Sequence, residues 1–145
     1  TDVFTSSATS PTDITGMELA ITPSTSGNKL LILAGIQGSN NGLNWGGPIF
    51  NLEIDGTIVG QGDAGGSSRP RASTSCMGSS TSDAIASNFI QHLYTTTSTS
   101  EHVIKIQAHV AGGTMGINRT RSDTSDSVWY PRTSSHITIM ELDYS

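Results

Sequence analysis

The sequence predicts an all-β domain, a jelly-roll-type antiparallel β-sandwich of about eight strands, and three observations carry that expectation. Ser and Thr exceed a quarter of the 145 residues, Gly adds 16 more, and charged residues make up only 13%. Helix bundles and coiled coils draw on Ala, Leu, Glu, Lys and Arg, so this balance argues against them. Apolar residues also fall into short blocks bounded by Gly, Ser, Thr, Asn and Asp clusters, the pattern of strands joined by turns. Finally, a net charge of -5 combined with clustered apolar residues does not fit a disordered chain.

Residues 1–16 are polar, rich in Thr and Ser, and contain Pro11, which predicts an extended N-terminal arm ahead of a β-sandwich domain spanning 17–145. Met17–Thr22 is the first short strand. A turn over Pro23–Asn28 leads into Lys29–Gln37, rich in Leu and Ile, and a Gly/Asn loop over Gly38–Gly47 carries Trp45. Pro48–Asp55 alternates, with Phe50, Leu52 and Ile54 on one face and Asn51, Glu53 and Asp55 on the other. Asp55-Gly56 supplies the positive-φ positions of a two-residue hairpin turn, and Thr57–Gly60 returns as its partner. After a Gly, Ser and Arg loop over 61–82, Asp83–Tyr94 reads as a strand, with Ile85, Phe89 and Leu93 on one face and Ile90 and Tyr94 on the other. Thr95–Ser100 is a turn whose hydroxyls suit local backbone bonds. His102–Ala111 sets Ile104, Ile106, Ala108 and Val110 against Val103, Lys105, Gln107 and His109. Gly112-Gly113 turns it into Thr114–Thr120; a loop over 121–133 carries Trp129 and Tyr130, and Ser134–Tyr144 is the last strand.

Two strands are apolar on both faces. Lys29–Gln37 places Leu30, Ile32 and Ile36 on one side but Leu31 and Leu33 on the other. The last strand has Ile137 and Ile139 opposite Met140, Leu142 and Tyr144, although a bulge near Met140 would switch faces there. A domain of this size has little chain for a third layer, so the second faces point to a homo-oligomer interface formed by Leu31, Leu33, Met140, Leu142 and Tyr144.

The chain carries no motif that commits it to catalysis or to a cofactor. Gly60-Gln61-Gly62-Asp63-Ala64-Gly65 matches GxGxxG, but Gly66-Ser67-Ser68-Arg69-Pro70 cannot open the helix that a dinucleotide site needs. His102 and His109 are an odd number of positions apart in one strand and face opposite ways; His92 and His136 lie on other strands, and no metal-ligand spacing joins the four. They read as exposed strand histidines. No GxSxG elbow exists, and Glu53 with Asp55 is an ordinary solvated pair on one strand face. Cys76 is the single cysteine, so the chain forms no internal disulfide, and the residue reads as a plain loop position. With only seven basic residues, nucleic acid is a poor partner, and no segment approaches the length of a membrane span. Asn118-Arg119-Thr120 is a glycosylation sequon, of consequence only in a eukaryotic secretory setting.

The stretches ITPSTSGNKLLILAGIQG (21–38), DGTIVGQGDAGG (55–66) and GTMGINRT with SSHITIMEL (113–142) resemble a family of small domains in tailed-phage virion proteins, frequent in cyanobacterial and marine phages. The resemblance covers about residues 17–144 and leaves out the arm at 1–16 and the loop at 38–48. It implies a jelly-roll-like domain that assembles as a homotrimer on the virion. Arg119, following strand residue Ile117, then becomes one half of a structural staple with Asn118, with Asp63, Asp123 or Asp126 as carboxylate partners for its fork of donors.

Two virion roles follow from that resemblance. One is a non-enzymatic capsid decoration or cement protein on the outer capsid surface, its trimers clamping the major capsid protein and its arm lying across a neighbour. The alternative is a tail-fibre head that binds a host surface receptor, where Trp45, Trp129 and Tyr130 would stack on a glycan or anchor a partner. A lectin or carbohydrate-active enzyme on the same fold is a third class, since fold alone does not supply function. The expected absence of a shaft or repeats, with Thr1 as the natural start, favours the decoration role.

Overall fold

The computed structural model describes residues 3–40, 47–75, 84–120, 123, 128 and 130–143. In chain order its strands are β1 (Phe4–Ser6), β2 (Thr12–Ile21), β3 (Lys29–Asn40), β4 (Ile49–Ile54), β5 (Thr57–Val59), β6 (Thr74–Ser75), β7 (Ala86–Thr95), β8 (His102–His109), β9 (Met115–Ile117) and β10 (His136–Leu142). No helix occurs among the described residues. The strands form two five-stranded antiparallel sheets. The chain is an all-β sandwich.

The longest strand, β3, organises the first sheet because its Leu- and Ile-rich sequence is interrupted before Gly38 by one glycine, Gly35, and by no Pro, Asn or Asp. On one side it pairs with β7 from Lys29 to Gly38. On the other it pairs first with β10 and then, from Gly38 onward, with β9, which in turn holds β1. The second sheet runs β2-β8-β4-β5, with β6 also on β4. Successive strands change sheet from β1 through β4 and again from β6 through β9, so the chain wraps around the core as Greek-key and jelly-roll chains do.

The core is the apolar side of each alternating strand. Leu30, Ile32, Ala34 and Ile36 from β3 meet Ile104, Ile106 and Ala108 from β8 and Phe50 and Leu52 from β4, all fully buried. Gly38 makes this closure possible: a Cβ there would lie 2.9 Å from the Phe50 ring. The expected hairpin turn forms as read, with Asp55 at φ 51° and Gly56 at φ 80°.

The N-terminal segment departs from the expected arm. Phe4–Ser6 adds β1 to β9, and Thr12–Ile21 lies along β8 at the edge of the second sheet. The register of β2 slips between Asp13 and Glu18, where Gly16 takes φ 80°, and this bulge lets both Ile14 and Met17 enter the core. Two apolar residues spaced three apart do not alternate, which is why the segment does not read as a strand. The histidines depart as well. His102 and His109 are buried at 5% and 7% exposure, His92 is half-buried, and only His136 is exposed. Asp55 and the Tyr94 ring cover His102, and His92 lies on the inward side of β7 with its ring beside Gly60.

Candidate functional site

Burial alternates strictly along the first part of β3. The even-numbered residues face the core, and Leu31 and Leu33 are left half-buried on the outer face. The ladders on either side bring them neighbours. Leu31 lies between Leu93 and Met140, Leu33 between Gln91 and Thr138, Gly35 between Phe89 and His136, and Lys29 between Thr95 and Leu142. Phe89 is 55% exposed, Leu93 48%, Met140 42% and Leu142 37%. Leu31, Leu33, Met140 and Leu142 therefore share one surface, as expected from their faces, and no bulge interrupts β10 at Met140. Tyr144 lies outside the described residues. Phe89 and Leu93 belong to the same surface but did not stand out in the sequence, because nothing local says which face of β7 turns inward.

Lys29, at one end, is the sole charged side chain in those rows. Gly35 serves the packing of this face, since a Cβ there would fall 2.5 Å from the His136 ring, which lies directly over it. Glu141 points to the other side of β10 and is fully engaged. Its Oε1 accepts from the Ser24 amide and the Ser24 hydroxyl at 2.8 Å each and from Asn28 Nδ2 at 2.7 Å. The bonds from Asn28 and then Ser24 hold its carboxyl below the usual range and tie the 23–28 turn to β10.

The outer face of the second sheet is finished differently. Lys105 Nζ donates to Asp13 at 2.9 Å and lies 3.5 Å from Glu18, while Gln107 Nε2 donates to Asp13 at 2.7 Å and Glu53 at 2.6 Å. Donation from Gln107, then Lys105, lowers the Asp13 pKa. One sheet presents an interlocked polar network to solvent. The other presents hydrocarbon.

The Asn118-Arg119 pair is a loop fastener. Asn118 sits at φ 62° and is 2% exposed. Its amide donates to the Gln37 carbonyl at 2.9 Å, its carbonyl accepts from the Thr133 amide at 3.1 Å, and its Oδ1 accepts from Ser135 Oγ at 2.6 Å. Ser135 Oγ also accepts the Gln37 amide at 2.9 Å, which closes a ring joining β3, the β9 end and the approach to β10. Arg119 lies 3.4 Å from Asp123, and Asp123 accepts two bonds from Arg132, at 3.1 and 2.9 Å. Asp63 is not brought to this cluster; it is exposed on the β5–β6 loop. Arg71 Nε donates to the Gly62 carbonyl and closes that loop, so the GxGxxG match is a local turn. Asp126, Trp45, Trp129 and Cys76 lie outside the described residues, and Tyr130 is half-buried.

A carboxylate–imidazole pair fastens the β4–β5 turn. Asp55 Oδ2 is 2.6 Å from His102 Nδ1, and Oδ1 accepts the Val103 amide at 2.8 Å. Burial pushes the Asp55 carboxyl up, but the bonds from His102 and Val103 and the His102 charge outweigh it and hold the group below its ordinary value. His102 Nε2 is buried against the core and the Tyr94 ring packs edge-on to the imidazole at 5.5 Å, so the pair pins the β4–β5 turn to β8 rather than facing a substrate. Among the described residues no group of three or more His, Cys, Asp or Glu could hold a metal ion, and no helix is long and apolar enough to cross a membrane.

Neither the models of known protein families nor the curated protein sequences contain a match to this chain.

Proposed function

We propose that this chain is a non-enzymatic structural protein of a tailed-phage virion, a capsid decoration protein that works by association through the outer face of the β3 sheet. The observation that carries the reading is the charge-poor apolar surface formed by Leu31, Leu33, Phe89, Leu93, Met140 and Leu142. The largest contiguous apolar patch on a protein surface is often its interaction site. The strained and hydrogen-bonded groups, by contrast, are engaged in fastening loops.

In this reading the face packs against other copies in a homotrimer, and the trimer clamps neighbouring subunits of the major capsid protein. With β1 and the start of β2 committed to the sheets, the clamp rests on the sandwich faces and loops and not on a free arm. Binding to the assembled shell and not to free subunits would stabilise the shell by mass action, multiplied over many copies.

The copy number of the chain per purified particle, relative to the major shell protein, tests the proposal. A stoichiometry comparable to the shell protein supports decoration. A handful of copies per particle overturns it in favour of a tail appendage with a host-surface role.

A further inference from the structure

The free edge of β7 is built unlike a protected sheet edge. Strands that must stay solitary carry Lys, Pro, Gly bulges or inward charges that block pairing with another chain. β7 is ten residues long, unbroken in its register with β3, and the sequence from Ala84 to Ser100 contains no Asp, Glu, Lys, Arg, Pro or Gly. Among the described residues its second edge pairs with no strand. Its outward side chains carry the most exposed large hydrophobics of the sheet, Phe89 and Leu93.

We infer that β7 pairs antiparallel with β7 of a second copy about a two-fold axis at Gln91, joining two β3 sheets edge to edge. The argument for a second copy, over another peptide, is the symmetry of the strand about that residue. An antiparallel pairing centred on Gln91 sets Phe89 against Leu93 of the other copy and Ser87 against Thr95, twice over. On the outer face each apolar side chain then meets an apolar one and each hydroxyl a hydroxyl. On the inner face Ile90 meets His92 and Asn88 meets Tyr94, and no carboxylate, Lys or Arg is opposed anywhere along the strand. Cross-strand apolar pairs of this kind stabilise a sheet, and the backbone ladder satisfies the row of free edge groups.

Area supports the same arrangement. A three-strand face about seven residues long covers on the order of 300 Å² in plan, well short of the roughly 800 Å² per partner of a stable interface. Joining two copies through β7 leaves both apolar faces on the same side of one continuous sheet and doubles that surface. This inference concerns self-association alone and does not rest on the virion reading.

The test is a cysteine placed on the proposed axis. In a Cys76→Ser background, Gln91→Cys brings two thiols opposite one another, and mild oxidation is expected to yield a disulfide-linked dimer about tenfold faster than Thr138→Cys on the far edge. Phe89→Lys with Leu93→Lys, both at exposed positions, is expected to shift the protein to monomer in sedimentation with its circular dichroism unchanged. A parent chain that sediments as a monomer at about 100 μM overturns the inference. So does a Lys variant of undiminished size, or a mixed Gln91→Cys/Thr138→Cys product in place of the symmetric one, which would indicate a ring. If Leu33→Asp dissociates the parent while Gln91→Cys fails to cross-link, the face association stands and the edge pairing falls.

Discussion

Leu31 and Met140 are direct partners across the β3–β10 ladder, both on the outer side of the sheet and away from the core. A half-buried leucine beside a methionine 42% exposed is costly to leave in water unless something covers the pair. Leu31→Asp or Leu33→Asp should therefore leave the sandwich folded while abolishing association through this face, read by sedimentation as a fall in assembled mass beside unchanged circular dichroism. A variant that keeps the parent's assembled mass removes this face from the interface.

Deleting residues 1–16 separates an arm from a structural element. The segment contributes β1, half of β2 and the core residue Ile14, 3% exposed. Truncation should lower the unfolding midpoint sharply, and Ile14→Ala alone should cost about 2–4 kcal/mol. Urea unfolding decides; a truncated protein as stable as the full chain would make the segment dispensable.

Asn118 combines a left-handed backbone with a buried side-chain bond to Ser135. Asn118→Ala places a Cβ-bearing residue without local polar support at positive φ and strands the Ser135 hydroxyl, at a combined cost of about 2–4 kcal/mol. Asn118→Gly relieves the backbone part only and should recover about 1 kcal/mol. Equal midpoints for the two variants would show that backbone strain contributes nothing.

Acid should weaken the fold in two stages. Burial lowers the pKa values of His92 and His109, so the unfolded chain takes up protons first and stability falls as pH drops below about 6.5. The depressed carboxyls of Glu141, Asp13 and Asp55 stabilise the fold above their ordinary values near 4, and that contribution is lost as pH falls through the folded values. His109→Leu should flatten the upper stage, and Glu141→Gln the lower. Thermal midpoints from pH 8 to 3 provide the check, and a single transition unaffected by either change would refute the assignment.

Much of the sandwich is legible in local pattern. The eight expected strands all form, because turn chemistry such as Asp55-Gly56 and the alternation of Phe50–Asp55 act between near neighbours. β1 and β6 escape notice because strands of three and two residues carry too few alternations to rise above a loop, and no turn dipeptide announces them as Asp55-Gly56 and Gly112-Gly113 announce the equally short β5 and β9. The staple is half legible: an Asn-Arg pair after an apolar strand announces a fastened turn, but its choice of Asp123 over Asp63 depends on which sheet each loop hangs from.

By itself the sequence determines that Lys29–Gln37 and Ser134–Tyr144 are apolar on both sides, since side chains alternate with a period of two whatever surrounds them. Which side is core, and that Phe89 and Leu93 join Leu31, Leu33, Met140 and Leu142 on a single surface, is decided only in the tertiary structure. The physical reason is register: cross-strand neighbours are chosen by the packing of segments far apart in the chain, and a shift of one residue would turn every one of these side chains inward.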